Sequence, residues 1–311
     1  DIGRRGGGPA LSRLGLILLL SSALVLAACG ENKGEEHYQS GVDLEGQGRF
    51  QEALDIILEA WKGEPFSYDG KYYKIENATV SPSPYQQPHP PVWITMGSPG
   101  SAVKVAQHKH VGAVFLAGYP NIRKLFDGYR EGYLQAHGEE APLDRLAYAA
   151  IVHVGENEKE AEKGAEKLLW YIRSNKVAPQ FNNPPGYHTP AVAANLIRGP
   201  RPGESNRRDP RLGTQLARGN VFAGTPDQVF QQLKNFWEYS GGFGHLLMMG
   251  QAGFMTYDET MRSMSLFTQE VYPRLKELTA SYDAGAMKDL RSSRPDIEKF
   301  DVGLLASEFV R

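Results

Sequence analysis

Cysteine occurs once in the 311 residues, as Cys29, which excludes an internal disulfide framework and a cysteine-built zinc site. An excess of either charge is missing too: 34 basic residues stand against 36 acidic ones, a net charge of −2. No basic stripe with interleaved aromatics runs through the chain, so nothing in it calls for a nucleic-acid partner. His108 and His110 are two apart and point to different helix faces, which argues against a shared metal; with Lys109 they read as solvated or helix-capping groups. Long apolar runs are scarce, and the one from Leu14 to Ala28 is short for a membrane span. What is present, 41% hydrophobic and 23% charged residues, suffices to bury a sizeable core.

That apolar run has a setting. Arg4, Arg5 and Arg13 precede it with no acid after Asp1, and it ends in Leu26-Ala27-Ala28-Cys29-Gly30. A charged n-region before an apolar h-region is the pattern of an export signal. The five closing residues resemble the lipobox of bacterial lipoproteins, which implies lipidation of Cys29 and a membrane anchor there. Residues 1–29 are therefore expected to be a signal segment and 30–36 a polar linker.

The stretch that organises the rest is Pro90-Pro91-Val92-Trp93-Ile94-Thr95-Met96-Gly97-Ser98-Pro99-Gly100-Ser101-Ala102. Two prolines impose an extended approach, and Val92 to Met96 is too short and apolar for a helix, so it reads as a buried parallel strand. Gly97 to Ser101 is then the turn, and helical spacing begins at Ala102. A strand, a small-residue turn and a helix start in succession point backbone N–H groups and the positive helix end at one place, where a phosphate fits. An ordinary tight turn that needs glycine for its backbone angles fits the spacing equally.

Residues 41–94 add specificity. The helix-like Arg49 to Trp61, then Gly63-Glu64-Pro65-Phe66, then Gly70-Lys71-Tyr72-Tyr73, then the proline-rich Pro88 to Ile94, resemble the luciferase-like flavin-dependent monooxygenase family. The resemblance implies a TIM-barrel-type (β/α)8 fold. It places Met96, Gly97, Ser98 and Pro99 where the family holds the phosphate region of its flavin, FMN or in some relatives a deazaflavin. It also implies an organic small-molecule substrate oxygenated with reduced flavin and dioxygen. No catalytic base is named by it. Tyr38, Gly41, Gly48, Phe50, Ala53 and Leu54 also resemble a tetratricopeptide helix pair, but no second copy follows at that repeat's period. The alternative function is accordingly a membrane-anchored lipoprotein with an adaptor-like start and no catalysis.

Further on, strands are expected at Ala113–Leu116, Leu146–Val154 and His245–Met249, and helices at Ile122–His137, Glu156–Ser174, from the Thr225-Pro226 cap to about Tyr239, and at Glu259–Leu278. Residues 175–220 break the rhythm and read as a lid-like insertion. Within it, Tyr187 and His188 either face substrate, as the family resemblance implies, or belong to a surface loop. Gln251, past the last strand, is a further candidate ligand contact, and residues 280–311 read as an appended polar tail. The expected domain is thus 37–279.

An eight-stranded barrel typically takes about 250 residues. From residue 37 onward only four or five strands are legible, all assignable to its C-terminal half. Such a fold exposes strand edges and calls for a homo-oligomer or a partner chain that supplies the other half-barrel. The resemblance implies a cytoplasmic enzyme, whereas the leader implies a membrane-anchored lipoprotein, and the two expectations conflict.

Overall fold

The computed structural model describes residues 49–170, 211–252 and 254–294. The leader with Cys29, the loop positions Tyr187 and His188, and the chain beyond residue 294 lie outside the described residues. The molecule divides into two compact units, one up to Ser98 and one from Pro99 onward.

In the first unit, helix α1 covers residues 49–60 and buries Leu54, Ile56 and Ala60. A two-stranded antiparallel hairpin follows, β1 (Phe66–Asp69) with β2 (Lys74–Ala78), in the register Phe66 to Ala78 and Tyr68 to Ile75. The Glu52 carboxylate explains why the α1 sequence and the Gly70-Lys71-Tyr72-Tyr73 segment go together. It accepts from the backbone N–H groups of Lys71 at 2.9 Å, Tyr72 at 2.9 Å and Tyr73 at 3.2 Å, closing the hairpin loop onto the helix. A Cβ at Gly70 would collide with that carboxylate. Arg49 lies 5.4 Å above the Tyr72 ring and adds a cation–π contact. The family-like motif is therefore a folding device. Of the tetratricopeptide-like pattern, Phe50, Ala53 and Leu54 lie on α1, while Tyr38, Gly41 and Gly48 lie outside the described residues. A proline-rich stretch with cis bonds at Ser81–Pro82 and Gln87–Pro88 leads to β3 (Trp93–Thr95).

The second unit is a parallel sheet with helices. It begins with α2 (Pro99–Gln107), β4 (Val111–Phe115) and α3 (Gly118–His137). After a short 3-10 turn come β5 (Leu146–Val154) and α4 (Glu158–Leu168). Past the insertion lie α5 (Leu212–Ala217), β6 (Val221–Gly224), α6 (Pro226–Ser240) and β7 (His245–Met249). The closing helices are α7 (Tyr257–Leu266), α8 (Tyr272–Ala280) and α9 (Ala284–Ser293). β5 is the central strand and pairs in parallel with β4, β6 and β7. Leu116 donates its N–H to Ala149 O and Ile151 donates its own to Asn220 O. Residues two apart on a strand turn their polar groups to the same edge, so β4 and β6 share one edge of β5, end to end, and β7 takes the other.

The register separates the two sheet faces. Val114, Tyr148 and Leu246 are aligned on one, and Val152 with Phe222 on the same side. α6 covers that face: the Phe236 ring lies 4.4 Å from Tyr148 and 5.3 Å from Phe222, centroid to centroid. α3 joins through Phe126 against Phe243 at 5.9 Å. On the opposite face, Ala165 and Leu168 of α4 and its C-capping Leu169 pack with Ile151, Val221 and Ala223.

Several bounds differ from the sequence expectation. α3 starts at Gly118 rather than Ile122, and the described helix after β5 starts at Glu158, where the Asn157 side chain accepts from Glu160 N–H. Helix α2 begins at Pro99, three residues before Ala102, which shortens the turn to Met96–Ser98. The closing helix is interrupted by a π-turn at Phe267–Val271, next to Pro273, which has no N–H to continue the ladder. Of the three residues expected to be solvated or helix-capping, His108 and Lys109 are exposed, whereas His110, just past the end of α2, is buried and stacks on His108 at 5.6 Å.

Residues 284–293 form α9 where a polar tail was expected. Met287 is buried, and Arg291 and Arg294 reach Gly241 O and Asp127. Beside them Arg130 donates to Ser240 O at 3.0 Å and Gly241 O at 2.9 Å, satisfying carbonyls left over at the C-terminus of α6. Burial pulls the Arg130 guanidinium down to about 9, so it is still cationic at neutral pH.

Candidate functional site

The strand-turn-helix segment is present as consecutive chain. Met96 is 2% exposed and anchors the segment in the core, so any ligand contact it makes goes through its backbone. Gly97, Ser98, Pro99 and Gly100 are all exposed. Pro99 is the first helical residue of α2, a position where its preset φ suits the helix and its missing N–H costs nothing. The first turn of α2 contains no acid. A Cβ built on Gly100 would meet nothing within 4 Å, so there is open space beside the first turn of α2. This end has the charge and the room for an anion.

Helix α3 holds α2 in place. A Cβ at Gly132 would come within 2.8 Å of Val103 Cα, and one at Gly128 would lie 3.4 to 3.5 Å from Pro99 atoms. Two glycines four apart on α3 thus let α2 approach along its length, and Gly128 meets it at Pro99 itself.

The start of α3, after β4, is held by groups from elsewhere in the chain. Gly118 N–H donates to the Tyr148 hydroxyl at 3.2 Å, and that hydroxyl donates to Gly219 O at 2.8 Å. Tyr119 N–H is taken by Arg218 O at 2.8 Å. The start of α3 is therefore satisfied within the protein. Burial raises the Tyr148 phenol well above its ordinary value, so at neutral pH it is a fixed donor and acceptor rather than an acid. Leu116, with φ of 46°, makes the sharp turn between β4 and this helix.

At the same end of the sheet Gln251 follows β7. Its Nε2 donates to Ala252 O at 3.1 Å. On the face that α4 partly covers, Phe115, Ala149 and Leu247 form one aligned row. Phe115 is 48% exposed and Leu247 40%, with the small Ala149 between them. Among the described residues β7 pairs only with β5, leaving its outer edge without a strand.

Among the described residues no group of three or more metal-ligating side chains is assembled. No described helix is long and apolar enough to cross a membrane. Sequence reasoning missed the cavity beside His153; the histidine in an otherwise apolar strand was its one local signal.

Comparison with known proteins places the chain. The family model described as luciferase-like monooxygenase matches residues 24–242. The chain is 23% identical over 246 residues to the oxygenase component of flavin-dependent trigonelline monooxygenase from Acinetobacter baylyi, covering 78% of this chain and 64% of that one. It is 25% identical over 234 residues to the F420-dependent glucose-6-phosphate dehydrogenase of Kribbella flavida, covering 74% and 61%. Among solved structures, the oxygenating constituent of 3,6-diketocamphane monooxygenase from Pseudomonas putida, in complex with FMN, superposes with a TM-score of 0.53 at 20% identity, covering 72% and 62%. The chain spans less than two thirds of the length of these three proteins. The α/β fold with its parallel sheet is the one found in this TIM-barrel class. With a family match over most of its length, the chain belongs to the luciferase-like monooxygenase family.

Proposed function

We propose that the chain is a luciferase-like oxidoreductase acting with reduced flavin, FMN or a deazaflavin, on an organic small molecule, with dioxygen as co-substrate where FMN is used. The observation that carries this reading is the acid-free N-terminus of α2 directly after the exposed Gly97 and Ser98. The chemistry of this segment fits a phosphate: a glycine-serine turn, Gly97-Ser98, runs into the positive end of α2 at Pro99 and Gly100, and buried Met96 fixes the start of the segment. When bound, the flavin supplies the redox chemistry, and the protein's part is to bind it, orient it and exclude water.

The two relatives, one flavin-dependent and one F420-dependent by name, support this pair of cofactors. The name "oxygenase component" supports a separate reductase as a partner. The uncovered row Phe115, Ala149, Leu247 and the outer edge of β7 support a second polypeptide, either another copy or a chain bringing further strands, because an exposed apolar face beside an unpaired edge invites association.

Titration of the full chain into FMN, and separately into the deazaflavin F420, followed by fluorescence quenching, tests the cofactor. The expected result is saturable micromolar binding of one of them, weakened at least about tenfold in Gly97→Val, since 1.4 kcal/mol or more is at stake in the lost phosphate contacts. A folded protein, checked by circular dichroism, that saturates with neither would overturn the reading.

A further inference from the structure

Beyond the C-terminal end of β5, between α4 and α7, lies a cavity of about 200 Å³ that is independent of the strand-end turn. His153 lines it and is only 4% exposed. Its Nδ1 is buried with no hydrogen-bond partner, an unfavourable state unless something supplied from outside the protein completes it. Gly164 makes the room, because a Cβ there would collide with the imidazole ring. Burial lowers the His153 pKa, so the ring is neutral at pH 7 and carries one N–H donor.

The charges around the cavity do not cancel. Glu160 is paired with Arg262 at 2.9 Å, and Glu259 with Lys167. Both acids are therefore compensated. Lys163, also on the wall, has no ion pair or hydrogen bond among the described residues. The Ser263 hydroxyl accepts the Val154 N–H at 2.8 Å, which leaves its own proton to donate. The groups with donor capacity in hand are Lys163, Ser263 and His153, accompanied by one uncompensated positive charge.

We propose that this cavity binds a small oxyanion, a carboxylate or inorganic phosphate, with Lys163 as counter-charge and His153 and Ser263 as neutral donors. The volume admits a compact acid and excludes a whole flavin. A helix-terminal site would depend on backbone groups, whereas this one is built from side chains of three elements, β5, α4 and α7.

The test is a titration of the full-length protein with sodium phosphate and, in parallel, sodium acetate, at constant ionic strength set with chloride. Histidine ring resonances are followed by NMR, and His153 is assigned by its disappearance in His153→Gln. The expected result is a saturable shift of the His153 signal with one of the two anions at millimolar concentration or below, weakened about tenfold or more in Lys163→Gln. Lys163 is exposed, so that variant retains the fold. Phosphate and acetate binding equally well would mean a general oxyanion site; a response to one alone names the class. Two outcomes overturn the proposal: no saturable His153 shift with either anion, or equal binding by Lys163→Gln and the parent protein. Flavin binding at the α2 terminus is read by a different signal and its outcome does not bear on this one.

Discussion

Gly132 on α3 stands where any side chain would press on Val103 of α2, its Cβ falling 2.8 Å from Val103 Cα. The backbone of α2 cannot give locally, because Gly128 meets the same helix at Pro99. The position of the α2 N-terminus is thus set from a second helix, about thirty residues along the chain.

Gly132→Val is accordingly expected to push α2 away, destabilising the protein by about 1–3 kcal/mol through overpacking. Flavin binding should weaken more than this loss alone predicts, because the proposed phosphate site moves with α2. Urea unfolding together with flavin titration on the folded variant measures both. Unchanged binding in a destabilised variant would separate α2 from the cofactor site.

Glu52→Ala removes one carboxylate from three backbone N–H donors. The loop at residues 70–73 then depends on solvent for those groups, and a cost of about 1.5–3 kcal/mol is expected for bonds to a charged acceptor. Limited proteolysis should show earlier cleavage between Gly70 and Tyr73 in the variant, with cleavage elsewhere unchanged. Glu52→Gln, which keeps an oxygen acceptor, should fall between the two. If Glu52→Ala is as resistant as the parent, the carboxylate is not what closes the hairpin.

Glu259 gives a pH signature. Lys167 first, then the Thr256 backbone N–H, hold its carboxyl down at about 2, below the ordinary 4.5. A folded value below the unfolded one means stability that is present above about pH 4.5 and lost as pH falls toward about 2. The difference in thermal midpoint between the parent and Glu259→Gln should be largest at pH 6, shrink through pH 4 and 3, and be reduced by salt, as the pair is a third exposed. A difference that does not change with pH would assign the effect of the substitution to packing.

Much of the chain was legible because its signals are local. The β5 limits at Leu146 and Val154 were read from an alternating pattern, although the strand is buried almost throughout, and the start of α6 from Thr225-Pro226, where Thr225 N–H donates to Gln228 at 3.0 Å. The order strand, turn, helix around Met96 to Ala102 was legible for the same reason, though the strand ends at Thr95 and the helix starts at Pro99, earlier than the spacing predicts. β6 was not: four buried residues, Val221 to Gly224, have no alternation to mark them and become a strand only by pairing with β5. Helix α9 reads as a tail in the sequence because its anchors, Arg291 and the C-capping Arg294, find their partners at Gly241 and Asp127, far away in sequence.

The sequence by itself determined where most elements begin and end and what kind of small-residue turn follows β3. Those properties depend on backbone preference and on the period of apolar residues, which neighbours in the chain set. Only the tertiary structure decided which side of each element faces which partner. It brought Gly132 against Val103, set Phe115 beside Ala149 and Leu247, and enclosed His153 between Gly164 and Ser263. Periodicity reports that a face is apolar or that a residue is small; the contact that gives it a role is made by residues many positions away.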